Sequence, residues 1–310
     1  MLYMNIDIKQ LTNDKKYCRL CIDKRTGNLY VLRKSLNFID KFVYHNFAYT
    51  IPLKGVNIQH VGDMTFYNDK IILTDYDANC ILSINIEDGV VTHLAGGSIT
   101  EFGNIDGSFL NARLHKCDTL DTHPNGDIYF MDYGNHALKK MDFKNRNIIT
   151  IWNEIYSYGC HIIDNNHILL SSHNGRSLCI YDINSKYMTT YENENFKRLY
   201  YMSHDFKNYI YISDKSNIML IDKNFMNNND YIYTKLCDFT EYICINIDIY
   251  RDVIYFIDSC RSSVDSDSDL CMIELSTIEE RNIIHNMLIN YTLQLPTDLI
   301  SEIVDFSYRY

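Results

Sequence analysis

The sequence is poor in residues that punctuate or stiffen a chain: among 310 residues there are three Pro, 12 Gly and one Trp. Collagen-like repeats need Gly at every third position, and low-complexity linkers are rich in Pro and Gly, so both classes are excluded. No stretch of about 18 uninterrupted apolar residues occurs. The start, "MLYMNIDIKQ", has acidic and polar residues where a signal peptide carries its apolar core. Neither a membrane association nor secretion is therefore expected. Positive charge is also scarce, with 29 Lys and Arg against 40 Asp and Glu and a formal net charge of -11. No basic run concentrates the potential that a phosphate backbone demands, so no nucleic-acid partner is expected. The signatures of a nucleophile elbow, a phosphate-binding loop, an HExxH helix and a protein kinase are missing. Nothing in the sequence argues for an enzyme, and no cofactor or metal site is assigned.

Hydrophobic residues at 46% and charged residues at 22% give the composition of a globular protein with a well-buried core. Ten Cys are scattered, and only Cys18 and Cys21, in "CRLC", are closely spaced. Without a second pair or a secretion signal, the expectation is free structural thiols in a reducing compartment, hence a cytoplasmic location. The abundance of Ile, Asn, Asp and of 26 Tyr points to an AT-rich genome such as that of a large DNA virus, with the host cytoplasm as its setting.

The strongest signal is internal repetition. Six segments share one pattern: "LYVLR" from Leu29, "IILTD" from Ile71, "IYFMD" from Ile128, "ILLSS" from Ile168, "IYISD" from Ile210 and "IYFID" from Ile254. Successive starts lie 42, 57, 40, 42 and 44 residues apart. Turn chemistry such as Gly27-Asn28, Asn68-Asp69 and Asn125-Gly126 precedes the copies, and a third apolar run such as "CILSINI" follows. Units of this length with about four short strands are the blades of a β-propeller. The prediction is an all-β, six-bladed propeller over residues 1–275 and a helical tail over 276–310. Because helix signals replace a last strand after Leu275, the alternating N-terminal segment "LYMNIDIKQL" is expected to complete blade six.

From Val90 to Ile151 the chain resembles the NHL repeat. The matching positions are Ala95, Gly96, Asp106, Gly107, Ala112, Arg113, Gly126, Tyr129, Asp132, Asn135, His136 and Lys139. Cys117 stands where NHL repeats usually have Pro, and Ser172 replaces the Asp that ends other copies. The resemblance implies a closed ring that binds proteins or RNA, or in a minority of members an enzyme with a metal in the central channel. The polar residues lining that channel are expected among His60, Asp121, His123, His161, His204, Asp205, Asn246 and Asp248. Counted back from their repeat cores, His161 and His204 fall in registers of opposite parity and are expected to point apart. Asp121, Asn246 and Asp248 would be the oxygens of a lactonase-like calcium site. "SSVDSDSDL", with Asp265, Asp267 and Asp269, opens like a calcium loop but has Leu270 and Ser276 where an EF-hand needs Gly and Glu, so a solvated hairpin loop is expected.

Loops after the repeat cores are exposed while strands pack, which nominates Tyr76, Tyr133, His136, His173 and Arg261 as partner-binding residues. In the tail, Ser276 and Glu279 form a capping box. "LPTDLISEIVDF" resembles the opening of an F-box through Leu295, Pro296, Asp298, Leu299, Ile300, Glu302, Ile303 and Phe306. That resemblance implies a Skp1-like adaptor as partner and a target-recruiting role in a ubiquitin ligase. The alternative is an amphipathic helical pair packed on the ring. The leading expectation is a non-enzymatic protein-binding platform.

Overall fold

The computed structural model describes residues 9–11, 16–172, 176–192, 196, 199–204, 209–214, 217–222, 233–238, 242–251, 253–260 and 270–274. Six sheets follow one another around a ring. Blade one is Tyr17–Asp23, Asn28–Arg33, Phe38–Val43 and Asn46–Pro52. The innermost strands of blades two to six are Val61–Tyr67, Cys117–Thr122, Ser157–Ile162, Leu199–His204 and Tyr242–Tyr250. All six repeat cores are the second strand of their blade. Blade six ends at Leu270–Glu274, and its outer strand is Lys9–Gln10, antiparallel with Lys9 opposite Met272 and Gln10 opposite Cys271. The next residue continues the ladder, Leu11 N–H donating to the Leu270 carbonyl at 2.8 Å. Residues 9–11 thus close the ring, in line with the alternation of "LYMNIDIKQL", whose earlier residues lie outside the described ones.

Each repeat core is apolar without alternation because both faces of a blade are buried. In blade three, Ile128 and Phe130 pack toward blade two, while Tyr129 and Met131 pack toward blade four. Six such apolar clusters occur, one at each boundary between blades. A fully buried Ile or Leu contributes about 1.5–3 kcal/mol, so the boundaries hold the ring together. Asn68 and Asp69, at φ 46° and 58°, form the two-residue turn between the first strands of blade two.

The structure also explains the Asp that ends the cores of blades two and three. Asp75 accepts the backbone N–H groups of Gln59 (2.7 Å) and His60 (3.0 Å), and Asp132 accepts that of His115 (2.8 Å). These residues lead from the previous blade into the inner strand, so the Asp pins the entry of its own blade. Asp132 also accepts from Asn135 Nδ2 at 2.7 Å, and the fully buried Lys139 donates to Asp106 (2.8 Å) and Thr150 (2.7 Å). The polar residues that carry the NHL resemblance are therefore occupied in tying the Gly103–Arg113 loop to blade three.

Candidate functional site

Every inner strand has a register break near its start, between Tyr17 and Arg19, Val61 and Met64, Cys117 and Leu120, Ser157 and Gly159, Leu199 and Met202, and Cys244 and Asn246. A bulge re-aims the side chains beside it. In three blades a hydroxyl from the second strand fixes it: Asp63 N–H donates to Thr74 Oγ1 (2.9 Å), Gly159 N–H to Ser171 Oγ (2.7 Å) and Tyr201 N–H to Ser213 Oγ (3.0 Å).

Past the bulges, one residue per blade stands opposite the second residue of its core. These six, Cys21, Thr65, Asp121, His161, Ser203 and Asp248, form a ring around a channel of about 980 Å³. His161 Nδ1 lies 2.6 Å from Asp121 Oδ2, and His161 Nε2 lies 2.7 Å from His204 Nδ1. Asp121 further accepts the backbone N–H groups of Thr122 (2.7 Å) and Ile162 (2.9 Å). Burial pushes the Asp121 carboxyl up, but His161 and these N–H groups outweigh it and hold the group below the usual carboxylate range. An ionised Asp121 accepts a proton held on His161 Nδ1, and His161 Nε2 shares a hydrogen bond with His204 Nδ1 whose direction follows the tautomer. The result is a carboxylate–imidazole–imidazole chain able to pass a proton or share a positive charge.

The meeting of His161 and His204 corrects the register expectation. Adjacent blades present opposite faces to their common boundary, so residues of opposite parity on successive blades converge there. Leu169 and Ile210, which stand opposite His161 and His204, indeed share the cluster between blades four and five.

The three oxygen donors of the calcium expectation do not converge. Asn246 Oδ1 accepts the Leu20 N–H at 2.7 Å, and Asp248 accepts the Ile22 N–H at 3.1 Å and Ser203 Oγ at 3.0 Å and pairs with Lys24. Asp121 is committed to His161 across the ring from Asp248. Among the described residues, no three His, Cys, Asp or Glu are placed to hold a metal ion. His60 is exposed and paired with Asp77 (3.3 Å), and His123 Nε2 lies 3.0 Å from the Asn165 carbonyl. Asp205 and the 265–269 segment lie outside the described residues. Burial pushes the Cys18 thiol up to about 11 and that of Cys21 well above its ordinary value, which makes both poor nucleophiles.

The other half of the site lies at the face from which the inner strands start, and sequence reasoning missed most of it. Arg19 donates to the Gly62 and Cys18 carbonyls, and its guanidinium covers the Tyr201 ring at 5.1 Å. Asp63 and Asp118 lie beside it. Burial pushes the Asp63 carboxyl up to about 7 and that of Asp118 to about 6, Arg19 opposing in both cases. Outside them runs an aromatic arc of neighbouring rings: His60 and Tyr76 (5.3 Å), Tyr76 and Tyr133 (6.3 Å), Tyr133 and Tyr158 (5.4 Å, stacked), Tyr158 and Tyr200 (5.2 Å). His136 joins it, 6.3 Å from Tyr133 and 4.1 Å from the exposed Tyr156. His136 Nδ1 is buried and has no hydrogen-bond partner among the described residues. The structure thus gathers Tyr76, Tyr133 and His136 on one face, whereas His173, Arg261 and the tail residues from Leu295 to Phe306 lie outside the described residues.

No protein-family profile matches the chain. Over 87 residues, 26% of the chain, it is 30% identical to NHL repeat-containing protein 2 of Bos taurus, and the human protein of that name matches the same length at 29%. The chain is a six-bladed β-propeller similar to an NHL-repeat protein over those residues. It matches 12% of the length of those curated relatives. Among solved structures, the propeller superposes on a gluconolactonase from Xanthomonas campestris with a TM-score of 0.65 at 9% identity, covering 87% of this chain and 90% of that one. It also superposes on a catalytically inactive His-to-Ala virginiamycin B lyase from Staphylococcus aureus with quinupristin, TM-score 0.63 at 12% identity, covering 87% and 99%. At these identities the propeller shares their fold. Among its described residues no helix is long and apolar enough to cross a membrane.

Proposed function

We propose that the propeller is a protein-binding platform whose recognition surface is the aromatic arc on the entry face. The observation that supports this reading is the arc itself: a run of ring neighbours from His60 to Tyr200 spans four blades. Tyr is among the residues most often responsible for the energy of an interface, because it offers a large rigid area at low entropic cost. Cys18, Cys21, Cys80, Cys117, Cys160 and Cys179 form no disulfide, in keeping with a reducing, cytoplasmic setting such as the host cell of a large DNA virus.

Tyr133→Ala and Tyr156→Ala are expected to weaken partner capture from lysate by about 2 kcal/mol each, roughly thirty-fold, whereas Tyr187→Ala on an outer strand leaves it unchanged. Capture that survives both arc substitutions overturns the platform reading.

The F-box-like residues Leu295 to Phe306 favour a second role for the tail, capture of a Skp1-like adaptor. Leu299→Asp with Ile303→Asp should then remove the adaptor and a cullin from the bound proteins while the arc-dependent partners stay. An adaptor that remains bound sinks that role.

A further inference from the structure

Between the arc and the channel lies a second chamber of about 240 Å³, into which the strand bulges aim Arg19, Asp118, Tyr158 and Tyr201, with His60, Tyr76 and Tyr200 closing its sides. Its volume is below the roughly 300 Å³ at which pockets for drug-sized ligands begin, so it suits the end of one side chain.

Its walls are mostly rings, whose faces attract cations. Two of them already carry one: Lys116 Nζ sits 5.6 Å from the centre of Tyr76, and Arg19 5.1 Å from that of Tyr201. Beside the Arg19 guanidinium stand two carboxyl groups, Asp118 in the chamber wall and Asp63 on its channel side. Arg19 commits its Nε and Nη1 donors to the Gly62 and Cys18 carbonyls. Asp63 is held by Met64 N–H at 2.9 Å and by Asn246 Nδ2 at 3.4 Å. The Asp118 carboxylate faces the chamber and accepts no hydrogen bond from any described residue. An anion would meet Asp118 and find the Arg19 Nε and Nη1 donors already used.

The geometry points to recognition of an alkylammonium, the end of a lysine or N-methylated lysine of the protein partner, with its nitrogen against Asp118 and its stem leaving across Tyr76 and Tyr158. This rests on the platform reading and names the chemistry of its central contact. Rings strip the ammonium of water, and the carboxylate takes its N–H and its charge. The groups facing Asp118 are Arg19 and Asp63 from blades one and two, His60 and Tyr76 from blade two, Tyr158 from blade four, and Tyr200 and Tyr201 from blade five. Because burial raises the Asp118 carboxyl to about 6, with Arg19 and His60 opposing, binding should strengthen as pH rises through about 6.

The test is calorimetric titration of the full chain with three N-acetyl amides, those of Nε-dimethyllysine, lysine and norleucine. Expected are binding of the dimethyllysine and lysine probes, at least tenfold weaker binding of neutral norleucine, and an about tenfold loss for both cationic probes in Asp118→Asn. That variant removes a buried charge and should melt no lower than the wild type; if it fails to fold, Tyr76→Leu, which keeps an apolar wall but no π-face, must weaken the cationic probes several-fold. Norleucine binding as well as lysine, an unaffected Asp118→Asn, or no binding of the cationic probes overturns the assignment. If the probes fail while Tyr133→Ala and Tyr156→Ala still abolish partner capture, the chamber assignment falls and the platform stands. If capture survives the arc substitutions, the platform itself falls.

Discussion

Replacing Gly159 with alanine should lower the stability of the ring by about 3 kcal/mol and its melting temperature by about 5 °C or more. A Cβ at this position would lie 2.3 Å from the Tyr200 carbonyl oxygen, 2.6 Å from Met202 Cε and 2.7 Å from Ser171 Oγ. The methionine end could move, but the carbonyl belongs to the backbone of the next inner strand, and Ser171 Oγ is the acceptor that holds the bulge. Relief requires blades four and five to separate, which strips their shared apolar cluster of contacts. Gly103 is the control, since a Cβ there meets only Arg113 Cβ at 3.3 Å and should cost less than about 1 kcal/mol. Chemical denaturation of the two variants decides the matter. A Gly159→Ala protein as stable as the control would mean that the boundary yields more readily than its packing suggests.

Asp63→Asn should act in the opposite direction, and only at neutral to alkaline pH. Burial raises the Asp63 carboxyl to about 7 in the folded protein, against about 4 for an exposed aspartate. Below pH 4 both states hold the proton and the residue is neutral in its effect. Between about 4 and 7 the unfolded chain releases its proton while the folded one keeps it, so stability falls as pH rises, and above 7 the whole penalty is present. At about 1.4 kcal/mol per tenfold difference in proton affinity, the amide should stabilise the ring by about 4 kcal/mol at pH 8 and by almost nothing at pH 4. Arg19 keeps Asp118 as a neighbouring carboxylate, and an amide oxygen can still accept the Met64 N–H. Melting curves at pH 4 and pH 8 test this. Destabilisation at pH 8 would show that the Arg19 attraction outweighs the burial of Asp63.

The blades were legible in the sequence because their cause is periodic: two buried faces demand an unbroken apolar core every 40 to 57 residues, and turn residues mark its edges. The closing strand was legible from the alternation around Lys9 and Gln10. The chemistry of the channel was not. Arg19, Asp63, Asp118 and Tyr201 reach the axis through bulges, and one extra residue in a strand exchanges inward for outward positions with no mark in composition. Arg19 even sits in "CRLC", where its cysteine neighbours draw the eye toward redox chemistry. Parity along single strands sets His161 and His204 apart, whereas their meeting depends on the opposite faces of two blades. The residues with the most specific motif, Asp106, Asp132, Asn135 and Lys139, prove to be internal ties, and the aromatic arc joins Tyr133 and His136 of that same blade to His60, Tyr76, Tyr158 and Tyr200, which no repeat consensus marks.

Ring closure by Lys9–Gln10 has a consequence during synthesis. The strand waits for partners some 265 residues later in the chain, as the Lys9–Glu274 ion pair illustrates. Until Leu270 and Met272 leave the ribosome, Leu20, Ile22, Leu29, Val31 and Phe42 on the free side of blade one lack their final cover. At about 5–20 residues per second, that apolar side stays bare for on the order of ten to fifty seconds. A nascent chain stalled after five blades would therefore carry an adhesive edge on blade one.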